Sequence, residues 1–274
     1  MPKKLASVII PTKDKMSRLR LVLQALEPQI NEDVEVIIVM DGCKQESINE
    51  MNDLQLSFKP ILIDCVKNIG RSAARNRGIR YADGEILIFL DDDRIPGLNY
   101  IKKHITQHQS KCVLIGERKQ IYFTEEQIYS LYLNNVIKSN FRYIIKKSRF
   151  EYVNKVRELF FLKPDHPLRW FLFVTGNVSI EKNDLETVGF FDENYTGWGY
   201  EDTDLGYRLA KAGIKFVKDS TLINYHLAHD NNKLQKSIEE RRNLNYFANK
   251  FKDDAALQNM LLLMKLKSKF TAYI

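Results

Sequence analysis

Three consecutive aspartates, Asp91, Asp92 and Asp93, are the first candidates for chemistry in this sequence. They follow a short apolar run, EILIFL, and their negative charges would repel one another at a packed strand end. A divalent cation such as Mg²⁺ or Mn²⁺ would remove that repulsion, because hard cations prefer carboxylate oxygens. The ion could also bridge a diphosphate and stabilise it as a leaving group. The alternative is a solvated acidic turn without a ligand.

A basic segment, KNIGR at residues 67–71, forms a second candidate site. It opens a predicted helix, and Arg75 lies one turn beyond Arg71 on the same helix face. A helix N-terminus and guanidinium groups both favour phosphate oxygens, so this segment, which includes Asn68, is a candidate for binding a nucleotide. The alternative is an exposed basic helix face.

The segment GWGYED at residues 197–202 combines an aromatic ring with two carboxylates. Sugars stack their C–H faces on aromatic rings such as that of Trp198, and their hydroxyls need acceptors such as Glu201. Asp202 opens a predicted helix whose dipole favours ionised carboxylates, and it could take the proton from an attacking hydroxyl. The alternative is that Trp198 packs in the core and the two acids only cap the helix.

Two histidines, His226 and His229, lie just beyond an apolar run, TLINY. Either imidazole could donate a nitrogen to a metal ion. A lone histidine is more often structural, but two histidines three residues apart at a strand end support a ligand role. The sequence leaves the choice between His226 and His229 open.

Short apolar runs alternate with helix signals in the first third of the chain. This pattern predicts an α/β fold with a mostly parallel sheet between helices, and Ser17 is predicted to cap the first helix. Ligands bind at the carboxyl ends of such strands, so Asp41 and the aspartates at 91–93 are expected at one edge. The predicted strands are Leu5–Ile10, Val34–Met40, Ile61–Val66 and Glu85–Leu90, with a helix over Arg71–Ala82.

The rest of the chain is predicted to hold a helical insertion, a second site-bearing half and a helical tail. Residues 121–165 are rich in aromatic and basic residues and are predicted to be a helical insertion. Strand signals return at 171–180 and 214–217, with a helix over 201–212 between them. Residues 233–274 form a predicted helical C-terminal extension. Its last part, LLLMKLKSKF, could lie on a membrane surface, or pack on its own core or on a second copy of the chain.

Composition narrows the class of protein. The 274 residues are 44% hydrophobic, which fits a folded protein. The net charge of +7 fits anionic partners such as nucleotides, phosphates or an anionic membrane face, and does not by itself indicate nucleic acid. The cysteines at 43, 65 and 112 form no CxxC pair, so we expect three free, buried or half-buried residues. No run of roughly 20 apolar residues occurs, so we expect a cytoplasmic protein, or one bound peripherally to the inner face of a membrane.

These motifs together resemble a known family. The runs SVIIPTKD, VIIVMDGC and NIGRSAARNRGIRYADGEILIFLDDD resemble the inverting glycosyltransferases of family 2, which have the GT-A fold. The later run VTGNVSIEKNDLETVGFFDENYTGWGYEDTDLGYRLAKAG resembles the acceptor half of chondroitin polymerases and polypeptide N-acetylgalactosaminyltransferases. The resemblance covers about residues 5 to 230. It implies a catalytic domain over residues 1–232, with a nucleotide-sugar half at 1–120 and an acceptor and metal half at 166–232.

The resemblance implies a role for each matching residue. Asp202 would be the catalytic base, Asp93 would bind the metal directly, and His226, or alternatively His229, would be a further metal ligand. The residues expected at the donor are Pro11, Thr12, Asp41, Asn68, Arg75, Asp91 and Asp92. Those expected at the acceptor sugar are Gly176, Asn177, Trp198 and Glu201. Asp14 stands where the family has asparagine, and no role is assigned to it.

The predicted function is transfer of a hexosyl or N-acetylhexosaminyl group from a nucleotide-diphosphate sugar to an acceptor hydroxyl with the help of Mn²⁺ or Mg²⁺. UDP follows from the resemblance alone, and the acceptor could be a glycan, a lipid-linked glycan or a protein. One alternative is a sugar-1-phosphate nucleotidyltransferase, which would need a glycine-rich loop where this chain has PTKD. The other is a sugar-nucleotide-binding module that has lost catalysis.

Overall fold

The computed structural model describes residues 4–150, 166–229 and 232–262. In these residues, nine strands form a single sheet. The strands are β1 (Ala6–Thr12), β2 (Val34–Asp41), β3 (Ile61–Cys65), β4 (Ile86–Phe89), β5 (Arg94–Pro96), β6 (Cys112–Tyr122), β7 (Arg149–Phe150), β8 (Val178–Glu181) and β9 (Lys215–Ala228). The helices are α1 (Met16–Leu26), α2 (Gln45–Asn52), α3 (Arg71–Tyr81), α4 (Tyr100–Gln107), α5 (Glu125–Leu133), α6 (Val136–Ser139), α7 (Phe141–Lys147), α8 (Lys182–Val188), α9 (Glu201–Lys211) and α10 (Lys233–Lys250), with short 3₁₀ turns at Glu27–Gln29 and Arg169–Leu172.

The first four strands form a parallel sheet that is buried on both faces. Their order is β3-β2-β1-β4, and all three pairings are parallel. In β1, Val8 and Ile10 belong to the core on the α1 side, whereas Ile9 belongs to the core on the α3 side. Successive side chains of a strand point to opposite faces, so these nearly all-apolar runs fill both cores. The predicted α/β fold is confirmed.

The second half of the sheet brings the end of β4 to the end of β9. The order continues β8-β6-β9-β5, where β8 is antiparallel to both of its neighbours and β9 is parallel to β6. Strand β5 follows directly after the three aspartates and pairs antiparallel with β9, in a register that sets Arg94 opposite His226. The metal-site candidates therefore meet through strand pairing.

Three predictions about secondary structure were wrong in detail. Helix α1 begins at Met16, and Ser17 does not cap it; its hydroxyl donates to Glu125 instead, at 3.2 Å. The expected strand over 171–180 is reduced to β8, because Arg169–Leu172 forms a 3₁₀ turn. The expected insertion begins inside β6, and its described part consists of α5 to α7 and β7, so it is only partly helical. Residues 151–165 lie outside the described residues.

The C-terminal extension packs on the main core. Phe247, Leu257 and Leu261 are at most 4% exposed and belong to the same hydrophobic cluster as α3 and β4. Leu262 is 57% exposed, and the remainder of the predicted amphipathic tail lies beyond the described residues. Contact of the tail with a membrane or a second copy stays a prediction. Among the described helices, none combines the length and the apolar character needed to cross a bilayer.

The cysteine prediction is confirmed. Cys65 and Cys112 are buried, Cys43 is half-buried, and all three are free thiols.

Candidate active site

Asp93 and the two candidate histidines converge at one end of the sheet. His229 Nε2 lies 3.2 Å from Asp93 Oδ2, and His226 Nε2 lies 3.8 Å from the same oxygen. One ligand atom from each of the three residues can be chosen so that all lie within 4.8 Å of one another. The backbone fixes this arrangement, because the N–H of Leu227 donates to the carbonyl of Asp93 at 2.8 Å.

This trio fits a divalent metal ion. Carboxylate and imidazole are both ligands of divalent first-row metal ions, and the carboxylate is the type that suits Mn²⁺. Burial disfavours ionisation of Asp93, but the hydrogen bond from His229 and the charge of Lys15 outweigh it and lower the Asp93 pKa. The carboxylate is therefore ionised, as a metal ligand must be. The sequence left His226 and His229 as alternatives, and the structure brings both within reach.

Lys15 places a positive charge beside the same carboxylates. Its Nζ lies 2.9 Å from Asp93 Oδ2 and 3.3 Å from Asp92 Oδ1. Asp92 is 5% exposed and accepts a hydrogen bond from Thr12 Oγ1 at 2.8 Å. Thr12 is itself 3% exposed, so these two side chains tie the end of β1 to the end of β4. The contacts of Thr12 and Asp92 with a donor stay predictions.

Arg75 joins the two acidic clusters. One of its terminal nitrogens, Nη2, lies 3.4 Å from Asp91 Oδ1. The other, Nη1, lies 3.6 Å from Glu201 Oε1 and 3.9 Å from Asp202 Oδ1. Because the Arg75 side chain is 6% exposed, this guanidinium is a buried cation among three carboxylates. The carboxyl end of β4 and the GWGYED segment at residues 197–202 are therefore close to one another.

Asp202 is held by Thr175. The backbone N–H of Thr175 donates to Asp202 Oδ2 at 2.9 Å, and its hydroxyl donates to Oδ1 at 3.0 Å. Burial raises the pKa of Asp202 to about 6, although the charge of Arg75 acts in the opposite direction. A carboxylate with a pKa near neutrality, fixed in orientation, is suited to accept a proton.

The nucleotide-side candidates lie along the carboxyl ends of β1 and β2. Asp41 is 7% exposed, and its carboxylate accepts the backbone N–H groups of Ile69 at 2.7 Å and Gly70 at 3.1 Å. It thereby shapes the turn before α3, on which Asn68 is exposed. Pro11 is half-buried at the end of β1. The contacts of Pro11, Asp41 and Asn68 with a donor stay predictions.

Gly176 and Asn177 have different places in the site. Gly176 has a φ of +105°, and a side chain at this position would run into Asp91, so the backbone here lies directly against the strand-end acids. Asn177 is 1% exposed, and its Nδ2 donates to the carbonyls of Glu117 and Leu222 at 2.8 and 3.0 Å. The Asn177 side chain therefore braces β6 against β9, and the sugar contact expected of this residue stays a prediction.

Trp198 is half-buried rather than a core residue. The ammonium of Lys236 lies 5.2 Å from the centre of its ring. Glu201 is 4% exposed and also faces Arg71, whose Nη1 lies 3.6 Å from Glu201 Oε1. Glu201 and Asp202 are thus bound to basic and hydroxyl groups, and they do more than cap α9.

Sequence reasoning missed Lys15, Thr175 and Lys236 as parts of the site. Thr175 stands inside a quoted motif, next to the assigned residue Gly176, and that position was the available signal. Lys15 follows directly after the quoted run SVIIPTKD. Asp14, which had no role, accepts the N–H of Lys44 at 2.8 Å and the hydroxyl of Ser47 at 3.0 Å, and so fixes the start of α2. Lys236 lies in the extension, which carried no motif.

Comparison with known proteins assigns the family. Residues 7–175 match the model described as "Glycosyl transferase family 2", and residues 157–230 match the model described as "N-terminal domain of galactosyltransferase". The two matches divide the chain between the half that carries Asp91 to Asp93 and the half that carries Asp202.

Individual relatives agree with that assignment. The chain is 27% identical to the uncharacterized glycosyltransferase YfnE of Bacillus subtilis, with 92% of this chain and 72% of YfnE aligned. It is 30% identical to the chondroitin synthase of Pasteurella multocida over 80% of this chain, but it spans only 24% of that enzyme. The crystal structure of GalNAc-T7 with UDP, GalNAc and Mn²⁺ superposes with a TM-score of 0.59 at 14% identity, over 83% of this chain and 44% of the other.

The structural likeness confirms a GT-A-like fold, and the matched family model covers more than half of the sequence. The chain belongs to glycosyltransferase family 2.

Proposed function

We propose that this protein is a metal-dependent, inverting glycosyltransferase that moves a sugar from a UDP-sugar to an acceptor hydroxyl. The observation that carries this proposal is the position of Arg75 between Asp91 and the pair Glu201 and Asp202. Arg75 lies within 3.9 Å of an oxygen of each of these carboxylates, which supports one site shared by the donor-side acid and the candidate base. In such a site an acceptor oxygen and a sugar–phosphate bond can be held in line.

The donor would bind along the ends of β1 and β2. Arg75 supports this, because its Nε and Nη1 are buried and have no hydrogen-bond acceptor among the described residues. Oxygens of a bound sugar or phosphate would satisfy them, and buried N–H groups without partners are otherwise rare. Arg71 is 39% exposed at the start of α3 and adds a second positive charge. A UDP donor is supported by the nucleotide in the GalNAc-T7 structure.

Asp93, His226 and His229 are the residues that would hold Mn²⁺ or Mg²⁺. When bound, the ion would neutralise charge that builds on the departing diphosphate. Lys15 already supplies positive charge at this point, 2.9 Å from Asp93, and would share that work. The Mn²⁺ in the GalNAc-T7 structure supports the choice of metal.

Asp202 would act as the base. The acceptor oxygen forms a bond to the anomeric carbon, and the bond from that carbon to the diphosphate oxygen breaks with its electron pair on the diphosphate. The acceptor proton goes to Asp202, whose orientation is fixed by Thr175. A single displacement of this kind inverts the anomeric configuration. Glu201 would bind sugar hydroxyls, and Trp198 would stack on a sugar ring.

The acceptor would be a glycan, and the transferred group a hexose or an N-acetylhexosamine. The likeness to a chondroitin synthase supports a part in polysaccharide synthesis. Family membership rules out the nucleotidyltransferase alternative, and PTKD at residues 11–14 lacks the glycine-rich loop that such an enzyme needs. The half-buried carboxylate of Asp202, oriented by two hydrogen bonds from Thr175, argues against a module without catalysis.

Product analysis with Mn²⁺ tests the proposal. The full chain would be screened by thermal shift against UDP-sugars and GDP-sugars, and the stabilising donor would then be incubated with and without glycan acceptors. Release of UDP, with water or the acceptor receiving the sugar, is expected. Stabilisation by donors without any nucleoside diphosphate release would instead identify a binding module, and would overturn the proposal.

A further inference from the structure

Helix α10 holds the loop at residues 196–200, which carries Trp198 and leads into Glu201. The key contact comes from Asn243, a polar residue in the middle of α10 that is only 2% exposed. Its Nδ2 lies 3.1 Å from the carbonyl oxygen of Thr196, 3.2 Å from that of Trp198 and 2.8 Å from that of Gly199. One buried amide group thus binds three carbonyls of a four-residue stretch.

Glu239, one turn earlier on α10, also binds this loop, but as a hydrogen-bond acceptor where Asn243 is a donor. Its Oε2 accepts the backbone N–H of Trp198 at 2.9 Å. Its side chain also fills the space where a side chain at Gly197 would stand, and Gly197 has a φ of +75°. The left-handed backbone favours glycine at 197, and a larger residue there would also displace the Glu239 carboxylate from the loop. The loop is therefore shaped to fit this helix.

The end of the loop is strained and is supported by the same helix. Tyr200 has a φ of +69°, which is unfavourable for an aromatic residue, and it is the N-cap of α9. Its ring lies 5.7 Å, centre to centre, from the ring of the fully buried Phe247 on α10. Strained residues persist where surrounding contacts over-determine them. Glu201 and Asp202 follow directly, so their orientation depends on this support.

Lys236 extends the contact to the Trp198 side chain. Its ammonium lies 5.2 Å from the centre of the indole ring, within the range of a cation–π interaction. No carboxylate among the described residues lies within ion-pair distance of this ammonium. Helix α10 thus contacts both the backbone and the ring of Trp198.

We propose that α10 belongs to the acceptor site, because it holds the loop at 196–200 in place. Asn243 is the positioning residue that acts through this loop. The acceptor role rests on the function proposed above for Trp198, Glu201 and Asp202. The ligand so positioned is the sugar ring of the acceptor. Both matched family ranges end by residue 230, so this element lies outside the part of the chain that defines the family.

The competing explanation is that Asn243 only satisfies buried carbonyls and stabilises the fold as a whole. Asn243→Asp separates the two, because aspartate has the same shape but its carboxylate cannot donate to carbonyl oxygens. Asn245→Asp is the matched control: it makes the same change of charge, two residues away on the same helix, at an exposed position. The Asn245 side chain makes no hydrogen bond to the loop at 196–200 among the described residues.

The experiment compares wild type, Asn243→Asp and Asn245→Asp as full chains. Hydrogen–deuterium exchange follows the amides of residues 197–202, calorimetry measures the affinity for UDP with Mn²⁺, and UDP release is measured with the preferred UDP-sugar and p-nitrophenyl glycosides. In Asn243→Asp we expect the loop amides to exchange about tenfold faster or more, because donated hydrogen bonds are lost. UDP affinity and the exchange of β1 and β2 should match the control, while turnover falls about tenfold or more.

Two outcomes would overturn the inference. One is loop exchange in Asn243→Asp equal to that in Asn245→Asp. The other is equal loosening of the loop and of β1 and β2, which would mean a general loss of stability. Failure of the proposed function has a different signature, since wild type would then neither bind UDP with Mn²⁺ nor release UDP. The exchange contrast between the two variants does not depend on that result.

Discussion

Thr175 donates to both carboxylate oxygens of Asp202, through its backbone N–H at 2.9 Å and its hydroxyl at 3.0 Å. Thr175 is 3% exposed and lies just before Gly176, whose backbone packs against Asp91. The proposed base, Asp202, is thereby tied to the strand-end acids through one short segment. Hydrogen bonds to the ionised form also favour ionisation, so Thr175 partly offsets the effect of burial on Asp202.

Replacing Asp202 by asparagine should abolish most turnover and leave donor binding intact. The amide keeps the shape of the carboxylate but cannot accept the acceptor proton, and general bases contribute roughly 10²- to 10⁴-fold to rates. We expect at least about a 10²-fold fall in kcat. UDP affinity with Mn²⁺, measured by calorimetry, should equal that of the exposed control Asp53→Asn. A loss of UDP binding in Asp202→Asn would show that Asp202 holds the nucleotide instead.

Replacing Thr175 by valine should reduce turnover less than Asp202→Asn does, and it should shift the pH dependence of turnover. Valine keeps the backbone N–H bond to Asp202 and removes only the hydroxyl, so the carboxylate loses one of its fixed donors. A hydrogen bond to a charged group stabilises by about 1.5–3 kcal/mol, so we expect kcat to fall roughly tenfold or more. The acidic limb of the pH–rate profile should move upward. Thr106→Val, at an exposed position on α4, is the control and should behave as wild type.

The pH–rate profile of wild type should have an acidic limb set by Asp202. Burial raises the pKa of Asp202 to about 6 from 3.8, and the base works only when ionised. Activity should therefore fall about tenfold per pH unit below pH 6 and level off above it. The sign for stability is opposite: a raised pKa favours the protonated group in the folded state, so the contribution of Asp202 to stability falls as pH rises from about 4 to 6. A rate that is flat from pH 5 to 8 would contradict the assignment.

The aspartates at 91–93 and Asp41, and their position at the carboxyl edge of the sheet, could be predicted from the sequence. The apolar run before each of them is a sufficient signal. An apolar strand that ends in Asp91 to Asp93 fixes the sheet edge, and parallel pairing of β1 with β2 and β4 brings Asp41 to the same side. Two histidines near the end of an apolar run gave the metal candidates, although His226 lies inside β9 and only His229 lies beyond it. These histidines meet Asp93 because β5 pairs with β9, about 130 residues later in the chain. Only the resemblance implied that the histidines and Asp93 share a site.

Other parts of the site could not be predicted, because long-range packing decides them. Nothing local distinguishes Thr12 and Asp92, which bind one another, from residues that face a ligand. Asn177 stands in a site motif, yet its side chain is used between β6 and β9. Asn243 is the converse case, because it stands in no motif and yet contacts the site loop. An asparagine in a polar helix gives no sign that it will bind three loop carbonyls.

Removal of the Asp93 carboxylate should weaken metal binding and, with it, the affinity for UDP. Asp93→Asn keeps the side-chain shape but loses the charge that faces His229 and His226 at 3.2 and 3.8 Å. We expect the affinity for Mn²⁺, measured by calorimetry or by paramagnetic resonance, to fall at least roughly 100-fold. Wild type treated with EDTA should lose activity and recover it when Mn²⁺ is added.

Single substitutions His226→Ala and His229→Ala then decide how the two imidazoles share the ion. If both are ligands, each variant should lose roughly 10- to 100-fold in Mn²⁺ affinity. If only one histidine is a ligand, the variant at the other histidine should bind Mn²⁺ as tightly as Asp33→Asn, a charge-removing control at an exposed position. Full activity of Asp93→Asn in the presence of EDTA would refute the metal site, because Lys15 alone would then suffice as the positive charge beside the leaving diphosphate.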